Sequence, residues 1–162
     1  MPPMSLPPMS LPPMSLSTPF PSAHTAPLHE CFISLGSNID PDHNFVQALE
    51  IISRECVLLA CSKAIRTAPV GYQQQPDFLN AALLVSTPLE REAFRAYLKG
   101  LEDRLGRVRG AIKSGPRTMD LDIIAWDGEV IDDGYFHHSY VRKPVDEVLS
   151  SSGRRLEPQK RS

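Results

Sequence analysis

The sequence lacks several features that would define other classes of protein. No apolar run in its 162 residues exceeds five, far short of the roughly 20 that a membrane-spanning helix needs. The N-terminus has neither the basic start nor the apolar stretch of a secretory signal. The three cysteines form no C-x-x-C pair, and their odd number indicates buried reduced thiols rather than a disulfide framework or a zinc site. These absences predict a cytoplasmic protein without a membrane segment.

Two common phosphate-binding motifs are also missing. The chain contains no G-x-x-x-x-G-K-[ST] and no G-x-G-x-x-G sequence, which argues against a P-loop or a Rossmann dinucleotide site. Residues 29–149 are net acidic, which argues against a protein held on nucleic acid mainly by phosphate neutralisation. A ferredoxin-like RNA-binding module would need paired aromatic residues on a basic sheet, and the sequence lacks them.

The distribution of charge and proline divides the chain into three parts. Residues 1–28 contain nine of the sixteen prolines and have no Asp, Glu, Lys or Arg, and the first fifteen of them repeat with a period of five. Such a segment buries too little apolar surface to offset its ordering entropy, so we expect a disordered head. Residues 150–162 carry four basic groups and one acid, which predicts a disordered basic tail. The intervening residues 29–149 predict one domain with a single core.

The order of apolar patterns in residues 29–149 predicts a β-α-β-β-α-β fold with one extra hairpin strand. Helical spacing of apolar residues follows Asp40, a candidate cap, and Pro41. A second helical stripe follows Thr87-Pro88-Leu89-Glu90, which has the pattern of a capping box. We therefore expect an α+β fold, a ferredoxin-like antiparallel sheet with its helices on one face. Strand-like runs lie at 31–35, 57–66, 78–85, 120–126 and 129–131.

The densest group of chemically informative residues is Gly-Pro-Arg-Thr-Met-Asp-Leu-Asp-Ile-Ile, at 115–124. On a strand, alternation of side chains puts Asp120 and Asp122 on one face. Two carboxylates so placed repel each other, and a divalent cation such as Mg²⁺ would offset the repulsion. The alternative is a solvated strand face on which Asp120 pairs with Arg117, and the residues alone leave both open.

Five cations lie within fourteen residues of sequence around this acid pair. Guanidinium groups beside a two-carboxylate metal site suit phosphoryl transfer from a nucleotide, because they neutralise phosphate oxygens. A charged surface loop is the alternative interpretation. The five cations are Arg104, Arg107, Arg109, Lys113 and Arg117.

Four segments across residues 31–131 match one known family in order and spacing. They are Ser34-Leu35-Gly36-Ser37-Asn38, residues 67–82, residues 102–109 and residues 115–124. In these segments the chain resembles the 6-hydroxymethyl-7,8-dihydropterin pyrophosphokinases, enzymes of folate biosynthesis. The resemblance implies transfer of pyrophosphate from ATP to the hydroxymethyl group of 6-hydroxymethyl-7,8-dihydropterin, with AMP as the other product. It also implies two Mg²⁺ ions and a monomer whose partners are these small molecules, with no nucleic acid and no membrane.

The resemblance further implies roles for individual residues at the matching motif positions. Phe78 would stack on the pterin ring and Asn80 would hydrogen-bond its edge. The two carboxylates would bind the Mg²⁺ ions and the arginines around them would contact phosphates, so the catalytic set is Arg107, Arg109, Arg117, Asp120 and Asp122. The pterin set is Thr67, Ala68, Val70, Phe78, Asn80 and Tyr140. The ATP set is Glu102, Arg107, Arg109, Arg117, Ile123 and His138.

The chain departs from the family pattern in two places. Ser114 stands where a bulky, usually aromatic residue precedes the Gly-Pro-Arg-Thr segment. Residues 134–145 form a shortened version of the family's C-terminal stretch, in which His138 occupies the position of an arginine. These departures support an alternative function, that of a pterin- or nucleotide-binding paralogue with weak or lost turnover.

Overall fold

The computed structural model describes residues 27–108 and 115–158, and the strands in these ranges pair in one seven-stranded sheet. None of the helices in these ranges is long and apolar enough to cross a membrane. The strands are β1 (His29–Ser37), β2 (Val57–Cys61), β3 (Ile65–Thr67), β4 (Phe78–Thr87), β5 (Asp120–Trp126), β6 (Glu129–Val130) and β7 (Glu157–Pro158). The helices are α1 (Pro41–Glu55), α2 (Arg91–Arg104), α3 (Gly134–His137) and α4 (Ser139–Ser152). The predicted α+β class is confirmed.

The strand order places β1 at the centre of the sheet. The order is β2-β4-β1-β5-β6-β7, and β3 also pairs with β4. β1 is antiparallel to both neighbours, and its register sets Gly36 opposite Asn80 on one side and opposite Asp120 on the other. Ser34 lies opposite Asp122 in the same way. The register therefore brings the polar residues of β4 and β5 to one end of the sheet.

One face of the sheet carries the larger hydrophobic core, beneath α1 and α2. Because strand side chains alternate, the odd-numbered residues along β1 and β4 and the first part of β5 point to this face. This confirms the apolar stripes predicted for both helices. The strands contribute Cys31, Ile33, Leu35, Leu79, Ala81, Leu83, Val85, Leu121 and Ile123, and the helices contribute Phe45, Ala48, Ile51, Ile52, Phe94, Leu98 and Leu101.

The opposite face of the sheet is partly covered by α4, so the prediction that helices lie on one face only was wrong. Val141, Val145 and Val148 of α4 pack against this face with Phe32 and other strand residues. The three valines recur at helical spacing, but Pro144 interrupts the pattern in a way that normally marks a helix end. The sequence signal for α4 was therefore weaker than the signals for α1 and α2.

A β-bulge in β5 contributes to the packing beneath α4. Ile33 pairs with Ile123 while Phe32 pairs with Ala125, so β5 has one extra residue at this point. As a result Ile124 and Ala125, although adjacent in sequence, both belong to the core beneath α4.

Both predicted helix caps differ from the structure in detail. α1 has Pro41 in its first turn as predicted, but Asp40 has a positive φ of 43° and its side chain makes no capping hydrogen bond. α2 begins at Arg91, after the predicted capping box. The Thr87 hydroxyl instead accepts a hydrogen bond from the Leu89 N–H at 3.1 Å, which closes a local turn before the helix.

Ordered structure continues past the predicted domain boundary at residue 149. α4 runs to Ser152, and β7 pairs in parallel with β6. Arg154 forms a two-pronged ion pair with Glu30, with N···O distances of 3.0 and 2.6 Å. The predicted start of the disordered tail, residue 150, was therefore too early in the chain. The prediction treated the basic residues as solvated, but Arg154 has a partner on β1. Residues 1–26 of the predicted head and 159–162 of the predicted tail lie outside the described residues.

The cysteines of the chain are free thiols, in agreement with their odd number. Cys31 is buried in the core beneath the helices, as expected of a reduced structural thiol. Cys56 is half-buried and Cys61 is exposed on β2, so the prediction of burial was wrong for these two.

Candidate functional site

A cavity of about 310 Å³ opens on the face of the sheet that α4 partly covers, beside that helix. This volume is in the range of small-molecule binding sites. The floor is formed by strand residues Ser34, Gly36, Phe78, Asn80, Asp120, Asp122 and Ile124. The walls are formed by Thr67, Ala68, Val70, Arg117, Asp132, Gly134, His138, Tyr140 and Val141.

The two aspartates of β5 both face this cavity, as strand alternation predicted. Asp120 lies 3.1 Å from Arg107 Nη1 and 3.0 Å from Arg117 Nη1. Asp122 lies 3.4 Å from Lys99 Nζ. The Asp120–Arg117 pair of the alternative interpretation is therefore present, but it lines a cavity rather than an open solvated face.

The electrostatic surroundings of the two aspartates differ. Burial alone would raise the pKa of Asp120, but the guanidinium groups of Arg117 and Arg107 outweigh it and hold that pKa below its usual range. Burial, followed by the negative charge of Asp120, raises the pKa of Asp122 above its usual range. Negative charge is thus well compensated at Asp120 and poorly compensated at Asp122.

This acid pair fits Mg²⁺ as part of a ligand set rather than as a complete cage. Within residues 27–108 and 115–158, no three His, Cys, Asp or Glu side chains are grouped so as to hold a metal ion by themselves. Mg²⁺ is commonly held by one or two carboxylates while phosphate oxygens and water complete its shell. Asp120 and Asp122 supply two such carboxylates, and a cation between them would offset their repulsion.

The arginines predicted to contact phosphates are placed differently from one another. Arg117 lines the cavity, with its guanidinium carbon 5.7 Å from the centre of the Phe78 ring. Arg107 does not line it, and its Nη1 lies 3.2 Å from the buried carboxylate of Glu102. Arg109 lies outside the described residues.

The structure brings together all six residues predicted to hold the pterin. Asn80 is buried, and its Nδ2 donates a hydrogen bond to Thr67 Oγ1 at 2.6 Å. The ring of Tyr140 stacks on that of His138 with their centres 5.0 Å apart. Two aromatic rings and an oriented amide suit a flat heterocycle with hydrogen-bonding edges. The six residues are Thr67, Ala68, Val70, Phe78, Asn80 and Tyr140.

Besides Arg107, two more of the residues predicted for ATP, Ile123 and Glu102, do not line the cavity. The side chain of Ile123 is buried on the opposite face, beneath the helices. Glu102 is fully buried on α2, where its Oε2 accepts a hydrogen bond from the Leu121 N–H at 2.7 Å. Glu102 thereby provides a hydrogen-bond acceptor for a backbone N–H at the outer edge of β5. β6 does not extend far enough to pair with β5 at this position. His138, the remaining residue of that set, does line the cavity.

Sequence reasoning gave no role to Asn38, which ties three parts of the site together. Its Nδ2 donates to Gln75 Oε1 at 2.8 Å and to the Pro76 carbonyl at 3.0 Å. Its Oδ1 accepts from the Arg117 N–H at 2.9 Å. The available signal was an asparagine directly after a buried strand, where a polar side chain can satisfy loop backbone.

Lys99 and Asp132 were also missed. Lys99 lies on α2, and only the packing of that helix beside β5 brings its ammonium group to Asp122. Asp132 follows β6 and lines the cavity. Neither residue belongs to a recognisable motif, so the sequence offered no signal for them.

Fold and site together define an α+β protein with a cavity of the size that small molecules occupy. One end of its cavity suits a flat heterocycle, and the other combines two carboxylates with an arginine, as a metal-bound phosphate requires. The family model for 7,8-dihydro-6-hydroxymethylpterin-pyrophosphokinase (HPPK) matches residues 32–150, and the chain belongs to this family. The resemblance carried by the four sequence segments is thereby confirmed.

Several curated proteins are similar to this chain. The 2-amino-4-hydroxy-6-hydroxymethyldihydropteridine pyrophosphokinase of Bacillus subtilis is 35% identical over 104 residues, which cover 62% of this chain and 62% of that protein. The protein of the same name from Haemophilus influenzae is 36% identical over 103 residues, 62% of this chain and 64% of that protein. The mitochondrial folate synthesis bifunctional protein of Pisum sativum is 38% identical over 116 residues, 65% of this chain and 22% of that protein. This chain thus matches less than two thirds of the length of each of these relatives.

Proposed function

We propose that this protein transfers pyrophosphate from ATP to the hydroxymethyl group of 6-hydroxymethyl-7,8-dihydropterin in an Mg²⁺-dependent reaction of folate biosynthesis. Membership of the HPPK family supports this class of reaction. The observation that carries the proposal is that the residues suited to a heterocycle and those suited to a metal-bound phosphate line one cavity. Asn80 on β4 and Asp120 on β5 both lie opposite Gly36, on the two strands that flank β1. They are therefore two strand spacings apart, roughly 10 Å, so pterin and phosphate would meet in this space.

The pterin end of the cavity would select a flat ring by stacking and by hydrogen bonds. Phe78 and Tyr140 offer aromatic faces. Because Asn80 Nδ2 donates to Thr67, its Oδ1 is oriented as an acceptor for an N–H of the ring edge. These contacts would fix the ring so that its hydroxymethyl arm points along the floor toward β5.

At the phosphate end, catalysis consists mainly of positioning and charge neutralisation. The hydroxymethyl oxygen bonds to the β-phosphorus as the bond from that phosphorus to the α–β bridging oxygen breaks, so AMP leaves and the hydroxyl proton is released. Asp120 and Asp122 would hold Mg²⁺, which when bound stabilises charge on the phosphate oxygens. Arg117 is already beside Asp120 and would contact the same oxygens. Arg107, Arg109 and His138 would add further phosphate contacts.

The direct test is the formation of AMP. The purified chain is incubated with ATP, MgCl₂ and 6-hydroxymethyl-7,8-dihydropterin, and nucleotides and pterins are separated by chromatography. We expect AMP and pterin diphosphate in equal amounts, and neither when the pterin is omitted or EDTA is added. Pterin binding without AMP would identify a binding paralogue instead of an enzyme. The absence of both binding and AMP would contradict the proposal altogether.

A further inference from the structure

Lys99 lies on the helix that covers one face of the sheet, yet its ammonium group reaches the acid pair on the other face. Its Nζ donates to the Leu121 carbonyl at 2.9 Å and lies 3.1 Å from Glu102 Oε2 and 3.4 Å from Asp122 Oδ1. β6 pairs with β5 only at residues 125–126, so side chains of α2 can pass around the edge of β5 beside Leu121.

Glu102 anchors two cations, one for each aspartate of the acid pair. Its side chain is fully buried, and Arg107 Nη1 lies 3.2 Å from its Oε1 and 3.1 Å from Asp120 Oδ1. Lys99 bridges the other carboxylate oxygen of Glu102 to Asp122 in the same manner. A buried carboxylate needs such partners. Glu102 therefore holds Arg107 and Lys99 in place on the side away from the cavity.

Asp122 depends on its cation more than Asp120 does. Asp120 has a second guanidinium partner, Arg117, at 3.0 Å. Among the residues that the structure describes, Lys99 alone places a cationic nitrogen within 4.0 Å of an Asp122 oxygen. Repulsion from Asp120 would turn the Asp122 carboxylate away, and the half-exposed side chain has room to turn.

We infer that Lys99 is a positioning residue for Asp122, whose carboxylate it holds beside Asp120 in the orientation that a nucleotide-bound divalent cation requires. The inference rests on the proposed function, because it assigns Lys99 to the construction of the Mg²⁺–ATP site. Lys99 does not line the cavity, so it acts through Asp122 and not on the substrate. Partners that orient metal ligands in this way typically contribute 10- to 100-fold to metal affinity or activity.

The first experiment measures binding of Mn²⁺ in the presence of α,β-methylene-ATP, whose α–β bond cannot be cleaved, by the electron paramagnetic resonance signal of free Mn²⁺. Lys99→Gln keeps a donor for Leu121 but removes the charge, and we expect about tenfold weaker Mn²⁺ binding. Lys99→Arg keeps the charge and should bind Mn²⁺ nearly as the wild type does. Arg95→Gln is the matched control, because it removes the same charge one turn earlier on α2, from a side chain that pairs with Glu92.

Mn²⁺ binding by Lys99→Gln that equals or exceeds that of the wild type would overturn the inference, because the ammonium would then merely compete with the metal. A tenfold loss in Arg95→Gln would overturn it as well, since any charge on α2 would then suffice. Should Lys99→Gln not fold, Lys99→Arg decides: near-normal affinity supports the inference and a tenfold loss contradicts it.

A second experiment tests whether Lys99 acts through Asp122. In an Asp122→Asn background the additional Lys99→Gln change should alter Mn²⁺ affinity less than about twofold, because coupled residues are not additive. A full tenfold effect in that background would place the action of Lys99 elsewhere and refute the inference.

Turnover gives a separate readout. In the AMP assay Lys99→Gln should lower kcat and raise KM for Mg-ATP, while KM for the pterin stays unchanged. The Mn²⁺ measurements need no turnover, so a wild-type protein that forms no AMP would contradict the proposed function without deciding the role of Lys99.

Discussion

The two faces of the sheet differ most along β5, where adjacent residues have opposite surroundings. Leu121 and Ile123 are 0% and 3% exposed beneath α1 and α2. Asp120 and Asp122, each next to one of them, keep 25% and 42% of their side chains exposed in the cavity. A single strand therefore carries both the core and the site, and its alternation keeps their side chains separate.

This separation assigns different physical tasks to the two faces. Each fully buried leucine on the helix-covered face contributes about 1.5–3 kcal/mol through the hydrophobic effect. On the cavity face, two neighbouring carboxylates repel each other and lose hydration, so their arrangement lowers stability in exchange for a charged site. Substitutions on one face should therefore change the free energy of unfolding, and those on the other should change binding and turnover.

The largest expected effect is on turnover at the cavity face. Asp122→Asn keeps the shape of the side chain but removes a charge proposed to bind Mg²⁺, and we expect AMP formation to fall about a thousandfold. The melting temperature should stay the same or rise, because repulsion from Asp120 is relieved. Asp42→Asn, at an exposed carboxylate on α1 whose ion partner is the exposed Arg66, is the control and should keep wild-type turnover. Near-normal turnover of Asp122→Asn would show that this carboxylate has no part in the chemistry.

The next effect is on stability, one residue away. Leu121→Ala removes a fully buried side chain and should lower the free energy of unfolding by about 3 kcal/mol, measured by urea denaturation. The protein that remains folded should bind the pterin with unchanged affinity. Leu89→Ala, at an exposed position, should change stability by less than about 0.5 kcal/mol. A Leu121→Ala protein of normal stability that had lost pterin binding would break the comparison between the faces.

A smaller effect is expected for Phe78, the aromatic residue in the floor of the cavity. Phe78→Ala should weaken pterin binding by about 2 kcal/mol, roughly thirtyfold in Kd, through the loss of stacking. Fluorescence titration with the pterin measures this, and stability should change little because Phe78 lines open space. Phe136, an exposed aromatic residue outside the cavity, provides the control Phe136→Ala. Equal affinities of the two variants would contradict the assignment of Phe78 to the ring.

The smallest effect concerns pH and the end of the helix-covered face. His29 Nδ1 lies 2.7 Å from Asp127 Oδ2, and its Nε2 lies 3.2 Å from Glu90 Oε2. The hydrogen bond with Asp127 raises the pKa of His29, burial lowers it and the hydrogen bond with Glu90 raises it. The net result is a pKa above the usual histidine value of 6.5. The contribution of His29 to the free energy of unfolding is therefore complete below about pH 6.5 and is lost as the pH rises through the raised pKa.

We accordingly expect the stability difference between wild type and His29→Gln to shrink between about pH 6 and pH 9, by less than about 1 kcal/mol. Thermal melts of both proteins across this pH range measure this difference. Titration of the groups that both proteins share affects the two alike and cancels in the difference. A difference that stayed constant with pH would mean that His29 acts only through its contact with the Trp126 ring.

Much of the fold could be predicted from the sequence, because its local patterns are strong. The helical stripes of α1 and α2 and the alternation of β5 are properties of single segments, and the Asp127-Gly128 turn needs the positive φ that both residues adopt. α4 was missed because Pro144 obscured its stripe. The bulge in β5 was missed because it depends on pairing with β1, which no local pattern reports.

The site shows the same division between local and tertiary signals. That Asp120 and Asp122 lie together could be predicted because they share a strand, and the residues proposed for the pterin could be grouped because of the family resemblance. Lys99 and Asp122 meet only across the edge of a strand, and Asn38 reaches Arg117 over 79 positions of sequence. Contacts of this kind arise from the packing of elements, so the sequence of one element could not indicate them.

The bulge in β5 also makes the shape of the cavity depend on the position of α4. Ile124 belongs to the core beneath α4 and at the same time lines the cavity, so it forms the partition between a dry compartment and a wet one. Val141 of α4 likewise belongs to this core and lines the cavity. A displacement of α4 would therefore move the end wall of the cavity, and shortening this helix would admit water to the core and enlarge the binding space in a single step.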